Sequence, residues 1–219
     1  MTRFVPTYLD PSSRLGEIIF GLIMVLTFTL AAGFSIPQDK VGVRELLFAA
    51  IGCNVAWGII DAVLYLMNCI TLRAGRIRLV RAVQGAPDSQ TALTLIQNEI
   101  APEFEGLLQF DDTQALSRSI LRNISDARIK SATLTKEDWY GALACFWLVF
   151  LSCLPAAVPF LIFSEARFAL RVSNFLLVAL LFVVGWKWAQ YAGTNEWVAG
   201  LGMVGIGLAL VGTAILLGG

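Results

Sequence analysis

Five long runs of apolar, almost uncharged residues divide this sequence, and each has the roughly 20 residues that a helix needs to cross a bilayer. They run from about Gly16 to Phe34, Val43 to Cys69, Trp139 to Phe163, Phe168 to Trp188 and Trp197 to Leu217. Backbone polar groups inside lipid must pair with one another, so runs of this kind become helices. A soluble fold is excluded on the same ground. Of 219 residues 57% are hydrophobic and 15% charged, where soluble domains carry about 25% charged. The expected fold is an all-α membrane protein of five transmembrane helices, with a helical cytoplasmic insert between the second and third. Residues 1–69 then hold the N-terminal segment and the first two spans, 70–138 the insert, and 139–219 the last three spans.

Within that plan some details can be read locally. Asp10-Pro11 is a helix-start pair, and Asp10, Arg14 and Glu17 ahead of the first run do not look like a cleavable signal peptide. Pro155 and Pro159 are expected to kink or break the later half of the third span. Ala92–Ile100 and Thr113–Ile129 of the insert have amphipathic helical patterns. Gly202, Gly205, Ala209 and Gly212 form a small-residue row on the last span, suited to helix packing or to a dimer face.

Charge gives the orientation. With five spans, the N-terminus, the insert and the Lys187–Glu196 loop share one side and hold twelve of the 16 basic residues. Arg73, Arg76, Arg78 and Arg81 follow the second span directly, where basic residues bias topology most. That side is expected to be cytoplasmic and the C-terminus external. The 16 acidic residues cancel the basic ones, so no nucleic-acid partner is implied.

The chemistry available is narrow. There is no histidine, which removes the commonest general base and transition-metal ligand, and no nucleophile–base pair of an enzyme is visible. Cys53, Cys69, Cys145 and Cys153 lie in or beside apolar runs without metal-site spacing, so they read as free buried thiols. What stands out is charge inside the membrane, which is costly and therefore a functional candidate. Glu17 shares a helix face with Gly21 and Met24, although pairing with Arg14 at headgroup level would also account for it. Asp61 lies about 12 Å inside the second span, on one stripe with Asn54, Gly58 and Tyr65. Counting inward from the cytoplasmic ends of the two runs sets Glu17 level with Asn68 and Met24 level with Asp61. Oxygen ligands with one thioether suit Fe2+ or Mn2+ better than Zn2+, and a carboxylate at this depth could trade a proton for the metal. Glu45 falls on the face opposite Asn54, beside Arg44, and an interfacial ion pair would explain it. The acids Glu99, Glu103, Glu105, Asp111 and Asp112 of the insert could collect cations or be a solvated face.

The text Glu17-Ile-Ile-Phe-Gly-Leu-Ile-Met24, followed by Arg44-Glu45 leading to Gly52-Cys53-Asn54 and Trp57-Gly58-Ile-Ile-Asp61, resembles the vacuolar iron transporter family. That resemblance implies a proton-coupled exporter of cytoplasmic Fe2+ or Mn2+, a homodimer with its path between the first and second helices, no covalent cofactor, and a multi-pass location such as a bacterial inner membrane. Where the family has an Asp-Gly pair this chain has Phe20-Gly21; where it has Glu and, eight residues on, Met, this chain has Glu45 and Cys53. The resemblance therefore adds Glu45 and Cys53 to a metal-ligand set of Glu17, Met24, Asn54 and Asp61. A non-transporting membrane scaffold or regulatory subunit is the alternative that the sequence leaves open. On the charge count, a periplasmic reporter enzyme fused to the C-terminus should be active and one fused to the N-terminus inactive; the reverse pattern would invert the topology.

Overall fold

The computed structural model describes residues 9–35, 40–104, 110–125 and 131–217. Among the described residues there are seven α-helices and no strand: α1 (Pro11–Ser35), α2 (Lys40–Gln84), α3 (Ser89–Ile100), α4 (Phe110–Ser125), α5 (Lys136–Ile162), α6 (Ala166–Ala192) and α7 (Glu196–Leu216). Helices α1, α2, α5, α6 and α7 are long and apolar enough to cross a membrane, as expected from the five runs. The chain forms two compact units, one of Met1–Tyr65 with Lys136–Gly219 and one of Leu66–Thr135.

In the first unit α1 packs against α5, α6 and α7. Its Leu22, Val25 and Leu26 are buried with Cys153 of α5, Leu177 and Leu181 of α6 and Val211 of α7. The start of α1 is tied by Asp10, whose carboxylate accepts from the Ser13 amide (2.9 Å) and hydroxyl. The Ser13 hydrogen bonds hold the Asp10 carboxyl below its ordinary range. Helices α6 and α7 form a tight hairpin. Gly193 ends α6 at φ 67°, a left-handed conformation that suits glycine, and the Asn195 side chain caps α7 by accepting from the amides of Trp197 and Val198.

Two sequence expectations change here. Helix α5 runs through Pro155 and Pro159 to Ile162 without a break. In the same stretch the Ser173 hydroxyl of α6 donates to the Ala156 carbonyl at 2.9 Å, tying α6 to α5. A Cβ on Gly202, Gly205 or Gly212 of the small-residue row would meet nothing within 4 Å among the described residues, which leaves the dimer-face reading of that row open. The α6–α7 contact uses other glycines: a Cβ on Gly185 would lie 2.6 Å from the Ala199 carbonyl, and one on Gly207 2.8 Å from Leu181.

In the second unit, the end of α2 joins α3 and α4 around Val83, Ala92 and Ile96, with Ile120, Leu121 and Ile124 against them. Asp88 caps α3 through the Thr91 amide at 2.7 Å, and Gln84 donates to the Ile124 carbonyl at 2.9 Å. The amphipathic helices are thus α3 and α4, though residues 126–129 of the expected second one lie outside the described residues. Gly185→Ala should cost roughly 1–3 kcal/mol through overpacking, whereas Gly202→Ala should leave stability unchanged. Thermal unfolding of the detergent-solubilised protein reads the difference.

Candidate functional site

The site candidates converge along the seam between α1 and the first half of α2. The two helices are antiparallel, so residues one or two turns apart on one meet residues one or two turns apart on the other in reverse order. Three rungs result.

The first rung is acidic. The carboxyl groups of Glu17 and Asp61 lie in hydrogen-bonding contact, and the Cys145 thiol of α5 adjoins Glu17. Glu17 and Asp61 are half-buried, and Asp61 Oδ2 is buried with no hydrogen-bond partner among the described residues. Leu9, Ala144 and Tyr65 pack over the buried Cys145. Tyr65 lies so close to α5 that a Cβ on Gly141 would overlap its hydroxyl. Two bare carboxylates in such contact, partly removed from water, would repel one another strongly. The pair therefore calls for a shared proton or a bound cation. Arg14, the alternative partner for Glu17, instead donates from Nε to the Asp10 carbonyl at 3.4 Å.

The second rung has an aromatic side and a polar side. Phe20 meets Trp57 edge to face with ring centroids 5.2 Å apart. Behind them Gly21 admits α5: a Cβ there would overlap the Ser152 hydroxyl and approach Asn54 Oδ1 to 3.2 Å. Asn54 is fully buried. Its Nδ2 donates to the Ala50 carbonyl at 3.1 Å, and its Oδ1 has no partner among the described residues.

The third rung is sulfur. Cys53 Sγ approaches Met24 Sδ at 3.3 Å, and the Trp57 indole N–H donates to the Cys53 sulfur. Both residues are half-buried.

The pairing differs from the expected register. Met24 faces Cys53 and Glu17 faces Asp61, so Met24 is not level with Asp61, and Asn68 lies seven residues farther along α2. The count from helix ends assumed that the second apolar run stops at the membrane surface near Cys69. Helix α2 is instead 45 residues long, about 68 Å at 1.5 Å per residue, and Cys69 marks no end. A seven-residue slip is nearly two whole turns, which is why the facing stripes were right and their heights wrong.

Glu45 stands apart. Its side chain is exposed, eight residues before Cys53 and about 12 Å along the helix; the side chain of Arg44, its suggested partner, lies outside the described residues. Of the acids in the insert, Glu99, Asp111 and Asp112 are exposed, while the side chains of Glu103 and Glu105 lie outside the described residues. Among the described residues no three Cys, Asp or Glu side chains are set to hold a metal ion together. Sequence reasoning passed over Cys145 and Ser152. The signal was available: Asp138, Cys145 and Ser152 recur every seven residues on the buried face of α5.

A membrane-permeant maleimide should label Cys53 well before the buried Cys145 and Cys153, as read by mass spectrometry; equal rates would contradict these placements.

A family model described as the VIT family matches residues 95–219, more than half of the chain. The match covers the end of α3 and all of α4, α5, α6 and α7, and leaves out α1 and α2, which form the seam. No curated protein matches the chain.

Proposed function

Because the chain belongs to the VIT family, a family of membrane metal-ion transporters, we propose that it exports Fe2+ or Mn2+ from the cytoplasm in exchange for protons. The observation that carries this reading is the contact between Glu17 and Asp61 inside the membrane helices. Burial leaves the pair two stable states, one holding a proton and one holding a cation. Exchange between them couples the two flows: an arriving metal ion displaces the proton, and reprotonation releases the metal.

Further ligands come from the rungs beyond. Asn54 offers an unpartnered carbonyl oxygen, and Met24 and Cys53 offer sulfur. Mixed oxygen and sulfur donors suit first-row divalent ions. Glu45, exposed near the far end of α2, is assigned to the exit of the same path. The N-terminus is cytoplasmic, in keeping with the twelve basic residues on that side, and the membrane is a bacterial inner membrane. The working unit is a homodimer, for which the open row of Gly202, Gly205 and Gly212 on α7 supplies a close-approach face.

In proteoliposomes, Mn2+ or Fe2+ flux should follow an imposed pH gradient and collapse when it is dissipated. Asp61→Asn and Glu17→Gln should each lower flux at least tenfold while the protein still inserts and elutes as a single species. Flux that ignores both the gradient and these substitutions would overturn the reading in favour of a passive or non-transporting protein.

A further inference from the structure

The sulfur rung has a ligand chemistry of its own. Met24 and Cys53 bring a thioether and a thiol to 3.3 Å across the α1–α2 seam. Divalent Mn2+ and Fe2+ take larger, oxygen-rich coordination shells, whereas thiolate and thioether donors select Cu+. A monovalent d10 ion is satisfied by two or three soft ligands and carries half the charge into a low-dielectric site, which lowers its desolvation cost.

We propose that Met24 and Cys53 form a binding site for a thiophilic monovalent cation, Cu+, on the path assigned above to Fe2+ or Mn2+. The inference rests on that path for its meaning in transport but not for the binding itself.

Three features support it. A metal–sulfur bond is about 2.3 Å, so two sulfurs sharing one two-coordinate ion stand up to roughly 4.6 Å apart. Opening the present gap to that distance needs only a rotation of the flexible Met24 side chain. The Trp57 indole N–H already donates to the Cys53 sulfur, an outer contact of the kind that orients and tunes a metal ligand. Both sulfur residues are half-buried rather than sealed, so an ion has access. On binding, the Cys53 S–H bond breaks, its proton passes to water, and the thiolate sulfur and the Met24 sulfur each donate an electron pair to Cu+; no electron is transferred.

Full-length protein in lipid nanodiscs, titrated anaerobically with Cu+ against a chromophoric Cu+ chelator, tests this directly. One Cu+ per chain is expected, with affinity falling at least tenfold in Cys53→Ser and in Met24→Leu and unchanged in Cys69→Ser. The copper X-ray absorption spectrum of the wild-type complex should show a sulfur-only shell of two or three ligands, a readout that does not depend on any variant folding. An oxygen-dominated shell, or equal affinity in wild type and Cys53→Ser, overturns the proposal. Mn2+ flux measured on the same preparation separates the two ideas: Cu+ bound at this rung without metal flux would sustain the site and remove the transport reading, and the opposite result would do the reverse.

Discussion

Two acidic side chains pressed together away from bulk water create the tension around which the α1–α2 seam is organised. Glu17 and Asp61 come from different helices and meet where charge is poorly solvated. Neither could be tolerated there as an isolated anion, and the two together are worse. Close packing of the helices frames their contact. Gly21 lets α5 close on α1, Gly141 lets Tyr65 of α2 reach α5, and Leu9 closes over Cys145 beside the pair. A group that relieves the repulsion stabilises this packing, and its departure strains it.

Along the seam the chemistry changes by rungs, from carboxylate to aromatic and amide to sulfur. Each rung pairs one residue of α1 with one of α2, because antiparallel helices repeat their facing positions every three to four residues. The aromatic pair Phe20–Trp57 separates the acidic and soft ends on one side. The buried Asn54 oxygen, with no hydrogen-bond partner among the described residues, sits between them on the other. The VIT family match lies in the other half of the chain, from the end of α3 through α7. Two of those helices also build the support: α5 backs the seam through Cys145, Ser152 and Gly141, and α6 packs behind α1 through Leu177 and Leu181. The matched helices place the chain in its family, and the seam holds its half-buried acidic and sulfur side chains.

Much of this was legible before any coordinates. Apolar runs of membrane length determine helices because lipid leaves the backbone no other partner, and the same argument isolates the intramembrane acids Glu17 and Asp61 as anomalies. Helical periodicity also determined which residues share a stripe: Glu17 with Gly21 and Met24, Asn54 with Gly58 and Asp61. Pro155 and Pro159 read as a kink or a break, and α5 runs through both without a break, since membrane helices tolerate proline where neighbouring groups satisfy the backbone. The glycine row of α7 is not the one that packs within the described chain. Small residues permit close approach, but Gly200 and Gly207 are buried in the chain while Gly202 and Gly205 face open space, and only the position of α6 decides between adjacent rows.

What the sequence by itself determined, then, is the class of fold, the number of spans and the faces on which the unusual residues lie, all of which follow from local periodicity and from the cost of polar groups in lipid. What only the tertiary structure decided is their height and company. Two helices can slide by seven residues without changing which stripes face each other, so a one-dimensional pattern cannot separate Met24 against Asp61 from Met24 against Cys53. The register is set by packing that the pattern does not contain, in the contacts of Gly21, Gly58 and Gly141. The same packing turned Cys145 from one more buried thiol into a neighbour of the acidic pair.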